Sequence, residues 1–253
     1  MMELNILVVG QTGQMGRVLE QTIQKSPHHL VAGIGHPKDI TKEDVNIYSD
    51  FNDIPQPQDI DVIIDFSTPH LLEPLLNFAT KHKIPVVIAT TGIENTKLIE
   101  KASQAIPIVY AGNYSLGVNV LEKVAEVVAK ALKDFDIEIT ETHHNLKVDA
   151  PSGTAHMLFD AVNRGRDHTL TQHQGRHGLD AKRTKQEVGM HALRGGTVVG
   201  THTVSFFGTD EVIELTHTAY SKQIFAQGSL KAAEFIVHQQ PGLYDVNDVL
   251  EGE

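Results

Sequence analysis

The chain has 253 residues, enough to bury one large core or two smaller ones. Its formal net charge of −11, without any Lys/Arg-rich run, argues against nucleic acid or an anionic membrane as the main partner. The absence of cysteine excludes disulfides, thiolate zinc sites and a cysteine nucleophile. No apolar run approaches the roughly 20 residues of a membrane helix, and no signal-peptide pattern opens the chain, so we expect a cytoplasmic protein.

The first hundred-odd residues alternate short apolar runs with amphipathic segments, the pattern of β-α units around a parallel sheet. A helix is predicted over Gln14–Lys25, and Pro69 is placed to open another after Ser67 or Thr68. The fold class is therefore α/β, a doubly wound parallel sheet over residues 1–114. The predicted strands are Leu4–Val9, Leu30–Ile34, Ile60–Phe66, Val86–Thr90 and Ile108–Ala111.

After Tyr114 the pattern changes, which predicts a second, α+β domain over residues 115–224. A long helix is expected over Leu116–Lys133, packing through the stripe Leu116, Val120, Val124, Val127, Val128 and Ala131. The segments "FDIEITETH", "GTVVGTHTVSFFG" and "DEVIELTHTA" alternate with period two and predict a mixed, mainly open sheet, with a turn at Gly208–Asp210.

The second half contains two further segments outside this predicted sheet. Residues Gly165–Glu187 are polar and basic, and we expect them to form a long mobile loop. A helix is predicted at about Lys222–Val237, and we expect residues 225–253 to return to the first domain.

A glycine turn follows the first predicted strand and opens the first predicted helix. Gly10, Gly13 and Gly16 allow a tight turn and a close approach to a pyrophosphate at the helix N-terminus. A plain glycine-rich βα turn is the alternative. Three other strand ends, "DFSTP", "ATTG" and "AGNYS", would line the same crevice. We therefore predict a dinucleotide site.

The end of the second predicted strand decides which dinucleotide binds. An acidic residue there normally holds the adenosine ribose, but the sequence has Gly35, followed by His36 and Lys38. This favours tolerance of a 2′-phosphate, as in NADPH.

The stretch "ETHHNLKVDAPSGTAHML" places many polar and charged residues directly before a predicted helix. A strand over Phe135–Thr142 would end at His143 and His144, whose side chains point to opposite faces if the strand continues through them. Lys147 would add positive charge, Ser152 is a candidate N-cap, and the backbone N–H groups of Gly153 and Thr154 can bind a carboxylate. The pattern indicates an acidic substrate and an imidazole or ammonium proton donor, or, alternatively, only strand-end and capping roles.

Fifteen histidines raise the possibility of a metal site. Most of them are scattered, there is no His-Glu-x-x-His motif, and the pair His173 and His177 brackets a glycine. We therefore expect no metal.

The chain resembles the 4-hydroxy-tetrahydrodipicolinate (dihydrodipicolinate) reductase family of bacterial lysine and diaminopimelate synthesis, almost end to end. The motifs that carry this resemblance are "ETHHNLKVDAPSGTA", "GQTGQMGR", "ATTG", "AGNYSLGVN", "RGGTVVGTHTVSF" and "FAQGSLKAAEF". The resemblance implies a Rossmann-like first domain, NADPH or NADH as cofactor, a small dicarboxylate substrate, a hinge between the domains, and a homotetramer built on the second-domain sheets. It also implies hydride transfer to a ring C=C conjugated to an imine, followed by protonation.

The resemblance also assigns residues by position. His143 is implied as the acid/base and Lys147 as a proton donor, while His144, Lys147, Ser152, Gly153 and Thr154 would hold the substrate. The implied cofactor contacts are Gly10, Gln11, Thr12, Gly13, Gln14, Met15, His36, Ala89, Thr90, Thr91, Ala111, Gly112, Asn113 and Tyr114. The departure is at Gly35 and His36, where many members have an acidic–basic pair.

Three other functions are compatible with parts of the sequence. They are a Rossmann-type dehydrogenase acting on an amino-acid semialdehyde, a non-catalytic dinucleotide sensor, and a metal-dependent hydrolase built on the histidines.

Overall fold

The computed structural model describes residues 3–41 and 46–252, whose strands form two separate sheets. The first sheet consists of β1 (Asn5–Val9), β2 (His29–Ile34), β3 (Ile47–Tyr48), β4 (Val62–Asp65), β5 (Val86–Ile88), β6 (Pro107–Tyr110) and β12 (Gly242–Tyr244). The second consists of β7 (Asp136–His143), β8 (Thr171–Gln174), β9 (Glu187–Arg194), β10 (Gly200–Phe207) and β11 (Val212–Ala219). The helices are α1 (Gln14–Ile23), α2 (Leu72–His82), α3 (Lys97–Ser103), α4 (Leu116–Ala131), α5 (Gly153–Gly165), α6 (Gln223–Ile236) and α7 (Val246–Glu251).

The chain divides into two compact units, one formed by Met1–Leu116 with Lys222–Glu253 and the other by Gly117–Ser221. In the first unit the strand order is β12-β6-β5-β4-β1-β2-β3, and every adjacent pair is parallel. This confirms the predicted doubly wound sheet. The strand order reverses at β1, between β4 and β2, and in such sheets ligands bind outside the carboxyl ends of the strands at this point.

Both faces of the first sheet are buried. Successive side chains of a strand point to opposite faces, and each set packs into its own core. Leu7 and Val9 pack into a core that contains Leu75 of α2 and Ile99 of α3. Ile6 and Val8 pack into a second core on the other face, with side chains from α1, α6 and α7. The C-terminal segment supplies α6 and α7 to this second core, and β12 pairs in parallel with β6 at the sheet edge.

The second sheet is mixed, as predicted. β7 pairs antiparallel with β10 and parallel with β9, while β8 and β11 form the edges. Ile137 and Ile139 of β7 belong to a core that also contains Leu158 of α5 and Leu121 of α4. The even-numbered residues of β7 point to the other face of the sheet.

Most of the apolar stripe predicted for α4 is exposed, although Leu116 and Val128 are partly buried against the cores. Val120, Val124 and Val127 are exposed, and the core side of the helix carries Leu121, Ala125 and Ala129. The physical reason is close helix packing: a Cβ added at Gly165 of α5 would lie 2.5 Å from the backbone oxygen of Glu126. The same added Cβ would lie 3.0 Å from Ala129 Cβ, so a small side chain is required at this contact, and the face with Ala125, Ala129 and Leu121 is turned to the core.

The prediction of one continuous loop over Gly165–Glu187 is wrong in part, although residues 175–186 contain no helix or strand. β8 lies inside this segment and pairs in parallel with β9. All four of its side chains are exposed and polar, so no hydrophobic alternation marks it in the sequence. Arg176 donates to Glu138 Oε1 at 2.6 Å and pairs with Glu187, and Arg183 pairs with Asp136, so ion pairs fasten the segment to the sheet.

No helix within residues 3–41 and 46–252 is long and apolar enough to cross a membrane.

Candidate functional site

The glycine turn joins β1 to α1, and two of its glycines are required by backbone contacts. Gly10 has a φ of +83°, and a Cβ there would lie 2.7 Å from the carbonyl oxygen of Phe66. A Cβ at Gly16 would lie 2.3 Å from the carbonyl oxygen of Gly10. Gly13 is the N-cap of α1 and makes no side-chain cap. The first turn of α1 therefore presents backbone N–H groups without intrahelical acceptors, which suits an anion.

A buried carboxylate links the strand ends beside this turn. Asp65, at the end of β4, is 1% exposed and accepts a hydrogen bond from Thr90 Oγ1 at 2.8 Å and another from the Ser67 backbone N–H at 3.0 Å. Burial raises the pKa of Asp65 above its usual value, and the hydrogen bonds from Ser67 and Thr90 only partly offset this. The predicted turns "DFSTP" and "ATTG" are thus brought together through Asp65.

Some of the predicted cofactor residues are not available through their side chains. The Tyr114 ring is buried, and its hydroxyl donates to the carbonyl oxygens of Ile88 and Val109 at 2.9 and 3.1 Å, so it fastens β5 and β6 within the core. Gln11 is also buried, with its amide against Gly33. Thr90 uses its hydroxyl on Asp65.

The remaining predicted cofactor residues lie at strand ends of the first unit, except Met15, which is in the first turn of α1. Ala89 and Asn113 are buried, whereas Thr91 is exposed, and a Cβ added at Gly112 would meet no atom within 4 Å. Met15 and Ala111 are partly exposed.

A residue that the sequence reasoning missed lies beside the glycine turn. Lys222 donates from Nζ to Gln14 Oε1 at 2.7 Å. This places an ammonium group next to the first helical residue of α1. The two residues are 208 positions apart, so no local pattern connects them.

At the end of β2, Gly35 lies against Thr12. A Cβ on Gly35 would lie 2.5 Å from Thr12 Cγ2. The Thr12 hydroxyl accepts a hydrogen bond from the His36 backbone N–H at 3.1 Å. The His36 ring is mostly exposed and 4.0 Å from an Asp39 carboxylate oxygen. An acidic side chain at position 35 would therefore require Thr12 to move.

In the second unit, β7 brings a carboxylate and an imidazole together. The alternation that buries Ile137 and Ile139 continues to Glu141 and His143, which lie on the same face. His143 Nδ1 is 2.6 Å from Glu141 Oε2, and the Glu141 side chain is 1% exposed. Since β7 ends at His143, the following residue His144 belongs to the loop.

Glu141 accepts three hydrogen bonds from two residues outside its own strand, Arg194 and Ser152. Arg194 of β9 donates Nη1 to Oε2 and Nη2 to Oε1, both at 2.8 Å, and the Ser152 backbone N–H donates to Oε1 at 3.1 Å. Burial alone would raise the pKa of Glu141, but the hydrogen bonds from Arg194 and His143 outweigh burial and hold that pKa below its usual range. Glu141 is therefore a buried anion at neutral pH.

The loop after β7 holds Lys147 beside Asp149. The ammonium donates to Asp149 Oδ1 at 2.7 Å, and this hydrogen bond lowers the pKa of Asp149. The Lys147 side chain is 19% exposed and the Asp149 side chain 61%, so the ion pair is open to solvent mainly on the side of the carboxylate.

Ser152 is the N-cap of α5, as predicted. Its hydroxyl accepts from the Ala155 N–H at 3.2 Å and lies 2.9 Å from His202 Nε2. Burial and the nearby His143 lower the pKa of His202 to about 4, so His202 is neutral at neutral pH and shares one hydrogen bond with the Ser152 hydroxyl. A Cβ added at Gly153 would meet no atom within 4 Å, so the start of α5 is open there.

Sequence reasoning missed Glu141, Arg194 and His202. The signal for Glu141 was present, because it continues the period-two series of Ile137 and Ile139 toward the core. A buried carboxylate needs a partner. Arg194 could not be assigned from sequence, since only the register of β7 with β9 places it opposite His143.

Among the described residues, no group of three His, Asp or Glu side chains is arranged to hold a metal ion.

Comparisons with known proteins match both units. Family models described as the N-terminus and the C-terminus of dihydrodipicolinate reductase match residues 4–114 and 117–250. A 4-hydroxy-tetrahydrodipicolinate reductase of Caldanaerobacter subterraneus subsp. tengcongensis is 43% identical over 253 residues, or 99% of each chain. One from Staphylococcus epidermidis is 43% identical over 97% of this chain and 100% of its own. A dipicolinate-bound dihydrodipicolinate reductase from Paenisporosarcina sp. TG-14 has a similar fold, with a TM-score of 0.78, 22% identity, and coverage of 96% of this chain and 98% of that chain.

Proposed function

The chain belongs to the dihydrodipicolinate reductase family and is an oxidoreductase; on that premise we propose that it reduces 4-hydroxy-tetrahydrodipicolinate, via dihydrodipicolinate, to tetrahydrodipicolinate, using NADPH or NADH, in cytoplasmic diaminopimelate and lysine biosynthesis. The observation that carries this proposal is the Glu141–His143 pair next to Lys147 and the open start of α5. That arrangement combines a proton donor with groups that bind carboxylates.

The first unit fits a nicotinamide dinucleotide. Gly10 and Gly16 leave no room for a Cβ, so the turn stays tight, and the N-terminus of α1 can receive the pyrophosphate. Lys222, held on Gln14, adds a positive charge beside that helix terminus. When bound, the dinucleotide supplies a hydride to the substrate ring.

The second unit fits a small dicarboxylate. A dipicolinate-bound relative shares this fold. In our proposal the N–H groups of Gly153 and Thr154 bind one carboxylate, and Lys147 and His144 bind the other. An anion would compete with Asp149 for the Lys147 ammonium, since that carboxylate is the more exposed partner. Ser152 acts mainly through the cap that fixes the start of α5.

Protonation of the reduced ring falls to His143 or Lys147. After hydride addition the ring carries enamine-type carbanion character and takes a proton from a nearby acid. Because Glu141 is ionised, it accepts from His143 Nδ1–H. When the imidazole carries a second proton, that proton is on Nε2, which can donate it to the substrate ring and leave the neutral Nδ1–H form. His202 is neutral at neutral pH and does not supply this proton.

We further propose that NADPH is used at least as well as NADH. Gly35 lies against Thr12, which leaves no room for an acid that would repel a 2′-phosphate. His36 is exposed at this strand end and Lys38 follows it. Calorimetric titration with the two cofactors tests this, and markedly tighter binding of NADH would contradict it.

We also propose the homotetramer that the resemblance implies, formed through the second sheet. Its outer face exposes Leu193, Phe207 and Val212. A mass of one chain in sedimentation equilibrium would contradict this.

The reaction is tested by oxidation of NADPH and of NADH at 340 nm, with the substrate made in place from pyruvate and aspartate semialdehyde by a coupled synthase. Turnover with that substrate, and none with an amino-acid semialdehyde alone, is expected. Binding of NADPH without any turnover would support a dinucleotide sensor instead.

The proton donors are tested by His143→Ala and Lys147→Ala. Each is expected to lower kcat/KM at least about a hundredfold, the scale of a lost general acid. His29→Ala and Lys130→Ala, at exposed positions elsewhere, are the matched controls and should keep the wild-type rate. Wild-type rates in both site variants would refute the assignment.

A further inference from the structure

We propose that Glu141 is a positioning residue for His143: its carboxylate, clamped by Arg194, holds the imidazole with Nδ1 protonated, so that Nε2 faces the reaction. This rests on the proposed role of His143 in protonation. It concerns residues to which the sequence analysis assigned no role, and it follows from contacts around the imidazole.

The carboxylate leaves His143 one orientation. Oε2 accepts from His143 Nδ1 at 2.6 Å and from Arg194 at 2.8 Å, while Oε1 accepts from Arg194 at 2.8 Å and from the Ser152 N–H at 3.1 Å. A ring flip would replace the Nδ1–H donor with a C–H group and break the short hydrogen bond. Because a buried carboxylate that loses a donor is costly, the flipped ring is disfavoured.

The other side of the ring is also confined. A Cβ added at Gly200 would lie 3.0 Å from His143 Nε2, so a larger residue at this position would crowd the nitrogen. The His202 ring packs edge-on against His143, with ring centroids 5.1 Å apart. Glu141 and His202 thus contact the imidazole on two sides.

Arg194 extends this control to the loop that carries Lys147. Its Nη2 also donates to the carbonyl oxygen of Asp149 at 2.7 Å, and Asp149 accepts from Lys147. The same guanidinium therefore holds the carboxylate of Glu141 and the backbone of the loop. A bidentate arginine fork suits this task, because its planar donors match a carboxylate.

The test is Glu141→Gln in the full chain, which keeps the side-chain volume and removes the charge. We expect kcat to fall at least about tenfold while KM changes less than about threefold, since the substrate contacts remain. In ¹⁵N spectra, the neutral form of His143 should be the Nδ1–H tautomer in the wild type and should lose that preference in the variant.

Glu138→Gln is the matched control. Glu138 lies on the same strand, faces the other side of the sheet and makes an equally short contact of 2.6 Å with His191. This variant should leave the His143 nitrogen signals and the rate unchanged. If Glu141→Gln does not fold, Gly200→Ala probes the ring from the opposite end, and the same loss of kcat at a nearly constant KM is expected.

Two results would overturn the proposal. One is an unchanged His143 tautomer in Glu141→Gln; the other is a changed tautomer with wild-type kcat while His143→Ala is inactive. The rate of the His143→Ala variant tests the proposed function separately. If that variant kept the wild-type rate, His143 would not be the proton donor, and the role of Glu141 would fall with it.

Discussion

Single residues decide how closely backbones approach one another in this protein, and glycines show this best. The sequence correctly predicts the glycine turn, because the three glycines follow a predicted strand and mark the start of a predicted helix. It does not predict which of the three glycines is required. The structure distinguishes them: a Cβ at Gly13 would be 3.2 Å from its nearest neighbour, whereas one at Gly16 would be 2.3 Å from the Gly10 carbonyl oxygen.

Gly16→Ala is therefore expected to destabilise the chain by roughly 1–3 kcal/mol, since backbone atoms must shift to admit the methyl group. NADPH binding should weaken as well, because the same backbone forms the turn. Urea unfolding and calorimetry measure the two effects. Gly195→Ala is the control for stability, as a Cβ there would meet no atom within 4 Å. Equal unfolding free energies for the two variants would contradict the explanation.

At the scale of elements, the sequence predicts those whose hydrophobic pattern is strong. β1, β2, β4, β5 and β6 lie close to their predicted positions because buried parallel strands are continuous Val/Ile runs. β3, with only Ile47 and Tyr48, and β8, with four exposed polar side chains, carry no such pattern and were not predicted. Their pairing is made by backbone hydrogen bonds to a neighbouring strand, and these are invisible in local sequence.

The helix α4 shows a different limit. Its period was predicted correctly, but the choice of face was wrong, because valines outrank alanines in hydrophobicity. The close approach at Gly165 selects the alanine side instead.

The candidate site was also only partly predictable from the sequence. Ser152 as a helix cap and the end of β7 could be predicted from local pattern. The roles of Glu141 and Arg194 depend on strand register and became visible only in the fold.

At the scale of the whole molecule, the first unit is assembled from two distant stretches of chain. One of its two cores combines Ile6, Val8 and Ile64 of the sheet with Leu230 and Ile236 of α6 and with residues of α7. The second unit, Gly117–Ser221, has a core that contains no residue after Ser221. Removal of the C-terminal segment should therefore affect the two units differently.

A chain ending at Ser221 is expected to lose the cooperative fold of its first unit and its binding of NADPH, because one face of the parallel sheet becomes exposed to water. The amides of β7, β9 and β10 should remain protected from hydrogen exchange, since the core under that sheet is complete. A chain ending at Glu251 keeps every buried residue of the core that α6 and α7 complete, and is the control. If the shorter chain bound NADPH with wild-type affinity in calorimetry, the C-terminal segment would be dispensable, and the first unit would fold from its N-terminal stretch alone.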